Sequence, residues 1–411
     1  MHFTPTSDVT VLLHALLDAY ERRGGEPRRP VRVALDDVAA TLSGYYSQVD
    51  PLPRAVANEQ LSQMEAAGLL RLDWQPGQAG HLLVAVTLVA DHVISLYTLL
   101  GRESLAGRRE RLRALLVGER FRLSSWRLRA VQLVLEQIAA RRSPAPFRLG
   151  DDAWNQDLLA ALAALPDGES SEEIPYRLFS VRLYNDSKRF EALKGAVAGL
   201  ARRHEPRWRT LSYPEVLREL GLVANPDHLY LYGPWQLVDI DGQVLSLAGF
   251  APSVGLPAAL AGRVLAARVD AARVVCVENL ASFYELVRSQ REGLAALCLW
   301  GNPAPAVRHL LRCLANNLPA DVPLLLWADI DCGGLRILAH LREQVSVRVS
   351  PSLMDCATLE TYARWARPLS RTDEGHLHRL KHHPALADMV PLIDCMVRRG
   401  IKLEQEAVVL S

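Results

Sequence analysis

The sequence predicts an α/β protein: a C-terminal parallel sheet with helices on both faces, preceded by smaller α+β modules. Three observations carry this. First, two short apolar runs end in acid. Val274-Val275-Cys276-Val277 leads into Glu278-Asn279, and Leu324-Leu325-Leu326-Trp327-Ala328 leads into Asp329-Ile330-Asp331-Cys332-Gly333-Gly334. Each run has the length and bulky content of a strand buried on both faces. Second, from about Arg263 strand-like runs alternate with helical patterns. Strands are expected at 274–277, 295–300, 324–328 and 345–349, with helices near 281–290, 304–317 and 333–343. Alternation with short links implies parallel strands and right-handed crossovers. Third, the chain has 411 residues, more than one ordinary core accommodates, so two to four domains are expected.

Residues 1–95 read as helix, helix, helix, hairpin. The run from Val11 to Leu17 carries a helical apolar stripe that ends near Gly24-Gly25. Asp36 is a candidate cap for a short helix through Leu42. Ala55–Ala67 is a third helix closed by Gly68, and Leu69–Leu72 and His81–Val84 flank a Pro76-Gly77 turn. This order suits a winged-helix module and suits a small α+β packing domain equally well. Residues 96–165 form a helical segment rich in arginine, including Arg102, Arg108, Arg109, Arg111 and Arg113. Such a stretch can track phosphates. It can equally be a solvated helix face paired with acids such as Glu110 and Glu119.

Pro166–Glu173 is a linker by composition. A second winged-helix-like, DNA-binding module is expected over 174–262. In it Arg177–Leu183 reads as extended, Asp186–Phe190 opens a helix to about Arg203, and Ser212-Tyr213-Pro214-Glu215 is a helix start. Strands follow at Leu229–Tyr232 and Trp235–Val238, with a tight turn at Asp241-Gly242. The parallel sheet then occupies 263–411.

Composition restricts the function classes. Hydrophobic residues make up 49% and charged residues 23%, as in a folded domain rather than a disordered one. The 47 basic and 46 acidic residues nearly cancel, but charges segregated by face still permit nucleic-acid binding. The start shows no basic-then-apolar signal pattern. Val84–Leu100 is broken by Asp91 and His92 and is short for a membrane span. The six cysteines lack C-x-x-C spacing, which argues against a zinc ribbon or redox pair. Free thiols and a cytoplasmic, reducing location are expected.

The acids carry the chemistry. Asp329 and Asp331 are two apart, so extended backbone would point them to one side. Glu278 ends a strand that can lie beside theirs. Three converging carboxylates repel one another unless a cation neutralises them. Magnesium or manganese suits few carboxylate ligands plus retained water, and in the presence of a phosphodiester it can activate water or stabilise the leaving oxygen. The competing reading is that Asp329 or Asp331 only caps the helix that follows.

These motifs resemble the Toprim domain. More narrowly, the C-terminal part is similar to the JetD family, the nuclease subunits of Wadjet plasmid-defence systems, and so to the A subunit of topoisomerase VI. The residues that carry the resemblance are Glu278, Asn279, Asp329, Asp331, Gly334, Leu335 and Ile337, the stretch Ser180–Phe190, and the ending Leu403-Glu404-Gln405-Glu406. It spans roughly the last 240 residues. The resemblance implies a metal-dependent nuclease cutting double-stranded DNA, a homodimer in which each protomer cuts one strand, and SMC-like, kleisin-like and winged-helix partner subunits. Glu404 and Glu406 are either exposed terminal charges or a further metal ligand, and the family-like ending favours Glu406 for the second role.

Other candidates keep two readings. Lys188 and Arg189 at a helix start either grip phosphate or are solvated. Tyr184, read as lying in a strand, is either packing or a nucleophile. In the second case the protein is a topoisomerase-like strand breaker. His376, His378, His382 and His383 cluster without a metal-binding spacing, and Cys332 reads as a small residue packed in a turn. A non-catalytic winged-helix regulator, with structural acids only, is the third class.

Overall fold

The computed structural model describes residues 4–25, 30–166, 173–288, 292–345 and 348–408. It is a mixed α/β structure whose chain divides into two compact units, Met1–Ala163 and Ala164–Ser411. The expected linker falls mostly outside the described residues.

In the first unit, helix Ser7–Arg22 buries Val9, Leu12, Leu13, Leu16 and Leu17, the i, i+3, i+4, i+7 stripe of an amphipathic helix. Helix Leu52–Ala66 follows, and Gly68 beyond its end takes φ +78°. The expected hairpin forms between Leu70–Trp74 and Leu83–Leu88. Two details depart from the sequence reading. A short strand, Val31–Ala34, pairs with Leu83–Leu88 and makes the sheet three-stranded. Val31 and Val33 point into the core while Arg32 stays exposed, a period-2 signal too brief to stand out. The short helix is a 3-10 segment, Leu35–Thr41, with Ala34 at its N-cap and Asp36 inside its first turn. The arginine-rich stretch forms helices Leu105–Glu119 and Ser125–Ala139, joined through Arg120–Arg122.

The second unit opens with a correction: Arg177–Leu183 is not extended but lies in helix Tyr176–Tyr184. The bulky residues that suggested a strand pack instead at helical spacing. Tyr176 and Phe179 both meet the Phe190 ring, at 5.8 and 4.9 Å between centroids, and the Ser180 hydroxyl accepts the Phe190 amide at 2.9 Å. Asn185, at φ +54°, ends the helix. Helix Arg189–His204 follows as expected. The start at Ser212 is a full capping box with Glu215.

The main sheet has six strands: His228–Tyr232 (β1), Val254–Pro257 (β2), Arg273–Val277 (β3), Leu294–Cys298 (β4), Leu324–Trp327 (β5) and Val349–Pro351 (β6). Their order is β6-β5-β3-β4-β1-β2. The four strands β3 to β6 are parallel, with helices Leu280–Arg288, Pro305–Ala315 and Cys332–Gln344 between them. β6 starts later than expected, because Val345 still caps the preceding helix. β1 and β2 are antiparallel additions at one edge, so the sheet crosses residue 262 and is mixed. Trp235–Asp239, Val244–Ser246 and Val264–Val269 form a separate antiparallel sheet.

The cysteine expectation also changes. Cys356 and Cys395 form a disulfide, while Cys276, Cys298, Cys313 and Cys332 are free and buried. The paired residues are 39 apart in sequence, and the fold brings their Cα atoms to 6.0 Å, a bridging distance that spacing alone does not reveal. Among the described residues no helix is long and apolar enough to cross a membrane.

Candidate metal centre

Parallel register sets the site. Val277 pairs with Trp327, and the Glu278 amide donates to the Trp327 carbonyl at 3.0 Å. Glu278 and Asp329 therefore leave adjoining strands at the same sheet edge, the C-terminal edge where α/β sheets present ligands. Beyond β5 the backbone stays extended through an antiparallel bridge between Ile330 and Leu403. Ile330 is buried, so Asp329 and Asp331 project together on its opposite side, as their spacing predicts.

Each acid is anchored through one oxygen. Glu278 Oε2 accepts the Asp329 amide at 2.9 Å. Asp329 Oδ1 accepts the Gln405 amide at 2.6 Å. Asp331 Oδ1 accepts the Gly333 and Gly334 amides at 2.6 and 2.9 Å, capping helix Cys332–Gln344. Glu406 Oε1 accepts the side-chain amide of Asn279. The cap reading is thus realised at Asp331, and among the described residues its second oxygen has no hydrogen-bond partner. The same holds for the other three acids, whose anchoring uses one oxygen apiece.

The electrostatics are those of uncompensated carboxylates. Burial first, then the Asp329, Asp331 and Glu406 charges, push Glu278 up to about 7. Burial, with Asp331, Glu404 and Glu406 adding to it, pushes Asp329 up to about 6. Burial and mutual repulsion act in the same direction here, and a facing cation would oppose both. Four oxygen donors, one free on each acid, match a hard divalent ion. The acids are not drawn tight: among the described residues, Glu278, Asp329 and Asp331 do not bring one oxygen each within 4.8 Å of one another. The trio that does is Cys356, Glu360 and Cys395, where the disulfide occupies both sulfurs.

Gln405 is a site residue that the sequence reading passed over. It is almost wholly buried. Its Nε2 donates to the Trp327 carbonyl at 2.8 Å, and its Oε1 accepts the Asn279 amide at 3.2 Å. It thus ties the ends of β3 and β5 to the tail that carries Glu406. Its signal was only the resemblance of Leu403–Glu406 to a family ending. Glu404 turns aside to pair with Arg367 at 3.0 Å.

A cleft of about 720 Å³ opens beside Glu278, Gly301 and Gly333, with Arg207, Arg209, Arg336 and Arg379 among its walls. Of the clustered histidines, His376 and His383 line it and His378 and His382 do not. Tyr184, Lys188 and Arg189 are not among its lining residues either. Tyr184 ends a helix, and Lys188 is the exposed residue before the next one. The arginines of the first unit are engaged internally. Arg108 pairs with Glu21, Arg109 donates to the Gly24 carbonyl at 3.1 Å, and Arg111 pairs with Glu103 and Asp152 at 2.9 and 3.1 Å.

Comparison with known proteins agrees with the resemblance read from the acidic motifs. Residues 233–411 match the family model described as Wadjet protein JetD, C-terminal. A curated relative, Wadjet protein JetD from Bacillus cereus (strain Q1), is 23% identical over 370 residues, covering 89% of this chain and 88% of the relative. The match spans the sheet edge that bears the acids at adjoining strand ends, and there the chain is similar to the JetD C-terminal family.

Proposed function

We propose that the chain is a metal-dependent endonuclease that cleaves double-stranded DNA as the nuclease component of a Wadjet-like defence complex. The observation that carries this reading is the set of singly anchored acids, Glu278, Asp329, Asp331 and Glu406, beside an arginine-walled cleft. These four acids would hold magnesium or manganese. The bound ion would supply Lewis-acid polarisation of a phosphodiester and acidify a bound water. The protein's own part is orientation. Backbone amides fix one oxygen of Glu278, Asp329 and Asp331, and Asn279 fixes one of Glu406. The second oxygens are left to the ion, and the acids would close in to reach it together.

The similarity to Wadjet protein JetD supports the same setting. In this reading the sheet domain is Toprim-type, and the modules over 1–95 and 174–262 are winged-helix-like and hold duplex, with Lys188 and Arg189 as candidate phosphate contacts. The protein works in the cytoplasm as a homodimer, because a two-fold pair of sites matches the symmetry of duplex DNA. SMC-like, kleisin-like and winged-helix subunits present the DNA to it. The test is plasmid cleavage with the partner subunits and Mg²⁺ or Mn²⁺. Glu278→Ala is expected to abolish cutting and leave the melting curve folded. Cutting that survives in this variant refutes the assignment, and a strictly monomeric mass with and without DNA refutes the dimer.

A further inference from the structure

The arginines of the chain fall into two classes. Those on helix Leu105–Glu119 mostly face acids or carbonyls: Arg108 meets Glu21, Arg109 the Gly24 carbonyl, Arg111 both Glu103 and Asp152, and Arg113 meets Glu110 at 2.8 Å. A guanidinium already paired gains less from a phosphate, because the acid must first be released. Three arginines of the cleft beside Glu278 differ. Among the described residues, the side chains of Arg209, Arg336 and Arg379 donate to no acid and no carbonyl. They come from three separate segments, the loop before Ser212, helix Cys332–Gln344 and helix Arg371–Leu380, yet they line one cleft.

Among the described residues, no acid lining that cleft forms an ion pair with them. Glu215 is spent on the Ser212 amide at 2.6 Å, and Glu343 faces His383 at 3.4 Å. Glu278 belongs to the acid cluster. The crowding of positive charge is felt at His376, whose imidazole is held below its ordinary value by burial and then by Arg336 and Arg379. Like charges are gathered at a cost unless an anion completes them. The anion must be extended enough to reach three segments and must approach Glu278. A nucleic-acid backbone meets both conditions, and arginine forks match its phosphate oxygens.

We infer that Arg209, Arg336 and Arg379 form the phosphate track that carries a DNA strand to the acid cluster, whereas Arg108, Arg109 and Arg111 serve the folding of their own unit. This rests on the nuclease reading above for its substrate class. It does not depend on cleavage, because the track is read by binding. Contacts of this kind give position without sequence preference.

The experiment measures binding of a fluorescent 30-base-pair duplex to the full chain by anisotropy, between 50 and 200 mM salt, in chelator so that nothing is cut. Each phosphate contact contributes about 0.9 to the log–log salt slope. Removing three lowers the slope by about 2.7, so the parent's loss of affinity across this fourfold salt range shrinks by about 40-fold. The triple variant Arg209→Gln/Arg336→Gln/Arg379→Gln is expected to show this change, with Arg→Lys at the same positions restoring most of the slope. Arg108→Gln/Arg109→Gln/Arg111→Gln is expected to keep the parent slope and to melt at lower temperature. The inference is overturned if the cleft triple binds with the parent's slope, or if the parent binds no duplex at 50 mM salt. If the cleft triple loses binding while the parent never cuts DNA with its partners and metal, the track stands and the nuclease reading falls.

Discussion

Replacing Gln405 with methionine tests how the acid cluster is held. The side chain keeps its volume and loses both hydrogen bonds, so the Asn279 amide loses its partner, while the Trp327 carbonyl keeps only the Glu278 amide. An unsatisfied buried backbone group costs about 1–3 kcal/mol. One orphaned amide, plus the second lost hydrogen bond at about 1 kcal/mol, gives a loss of about 3 kcal/mol. For a unit of this size each kcal/mol lowers Tm by about 2–4 °C, so a drop of about 6–12 °C is expected. Thermal melts and urea midpoints at constant m-value measure it. The second readout is Mn²⁺ binding by calorimetry in the absence of DNA. The tail that Gln405 ties down carries Glu406, and its backbone amide holds Asp329. Loss of such outer contacts typically weakens a metal by 10–100-fold, and at least about 10-fold is expected here. A Tm change below about 2 °C would show that the tail is held by something other than these bonds. A large Tm loss with unchanged Mn²⁺ affinity would show that the tail does not serve the metal.

The remaining expectations concern charge and close packing. In chelator, urea stability should fall as pH rises from about 4 to 7. Glu278 and Asp329 are raised to about 7 and about 6 in the fold, so the folded state binds more protons than the unfolded one across that window. The contribution of Asp373, held down to about 2 mainly by its Ser370 hydrogen bonds, is lost only below about pH 4 and does not mask the trend. Saturating Mn²⁺ should flatten the profile, and a steady rise through the same window in chelator would contradict the assignment. Gly334→Ala would place a methyl 2.1 Å from the Asp329 carbonyl oxygen. It should cost about 3 kcal/mol or more by forcing a backbone shift at the helix start, whereas Gly333→Ala, 3.0 Å from Asp331 Oδ1, should be milder; equal melting temperatures for the two would refute the packing argument. Arg308 and Glu219 form a fully buried two-pronged pair at 2.8 and 2.7 Å. Arg308→Met alone should cost about 3–5 kcal/mol, and adding Glu219→Leu should recover much of it; a double variant no better than the single would count against a simple unpaired-charge penalty.

The sequence by itself determined the parallel core and the place of its acids. Val274–Val277 and Leu324–Trp327 are so uniformly apolar that only a doubly covered strand suits them, and whatever follows such strands lies at the sheet's C-terminal edge. Glu278, Asp329 and Asp331 were therefore legible as a group before any coordinate. The helical stripe within Val11–Leu17 and the Ser212 capping box were legible too, because their causes are local. Helix Tyr176–Tyr184 was misread because its aromatic residues are bulky enough for a strand, and only the distant Phe190 ring decides for the helix. The antiparallel strands from 228–257, the Cys356–Cys395 bridge, and the Gln405 tie depend on partners far along the chain. So does the sorting of arginines into paired and unpaired. A charge run looks the same in sequence whether or not acids face it, and Arg209, Arg336 and Arg379 lie too far apart in sequence to form a run at all. Periodicity records which face of an element is buried. What buries it, and which charges meet across a cleft, is settled only when the elements pack.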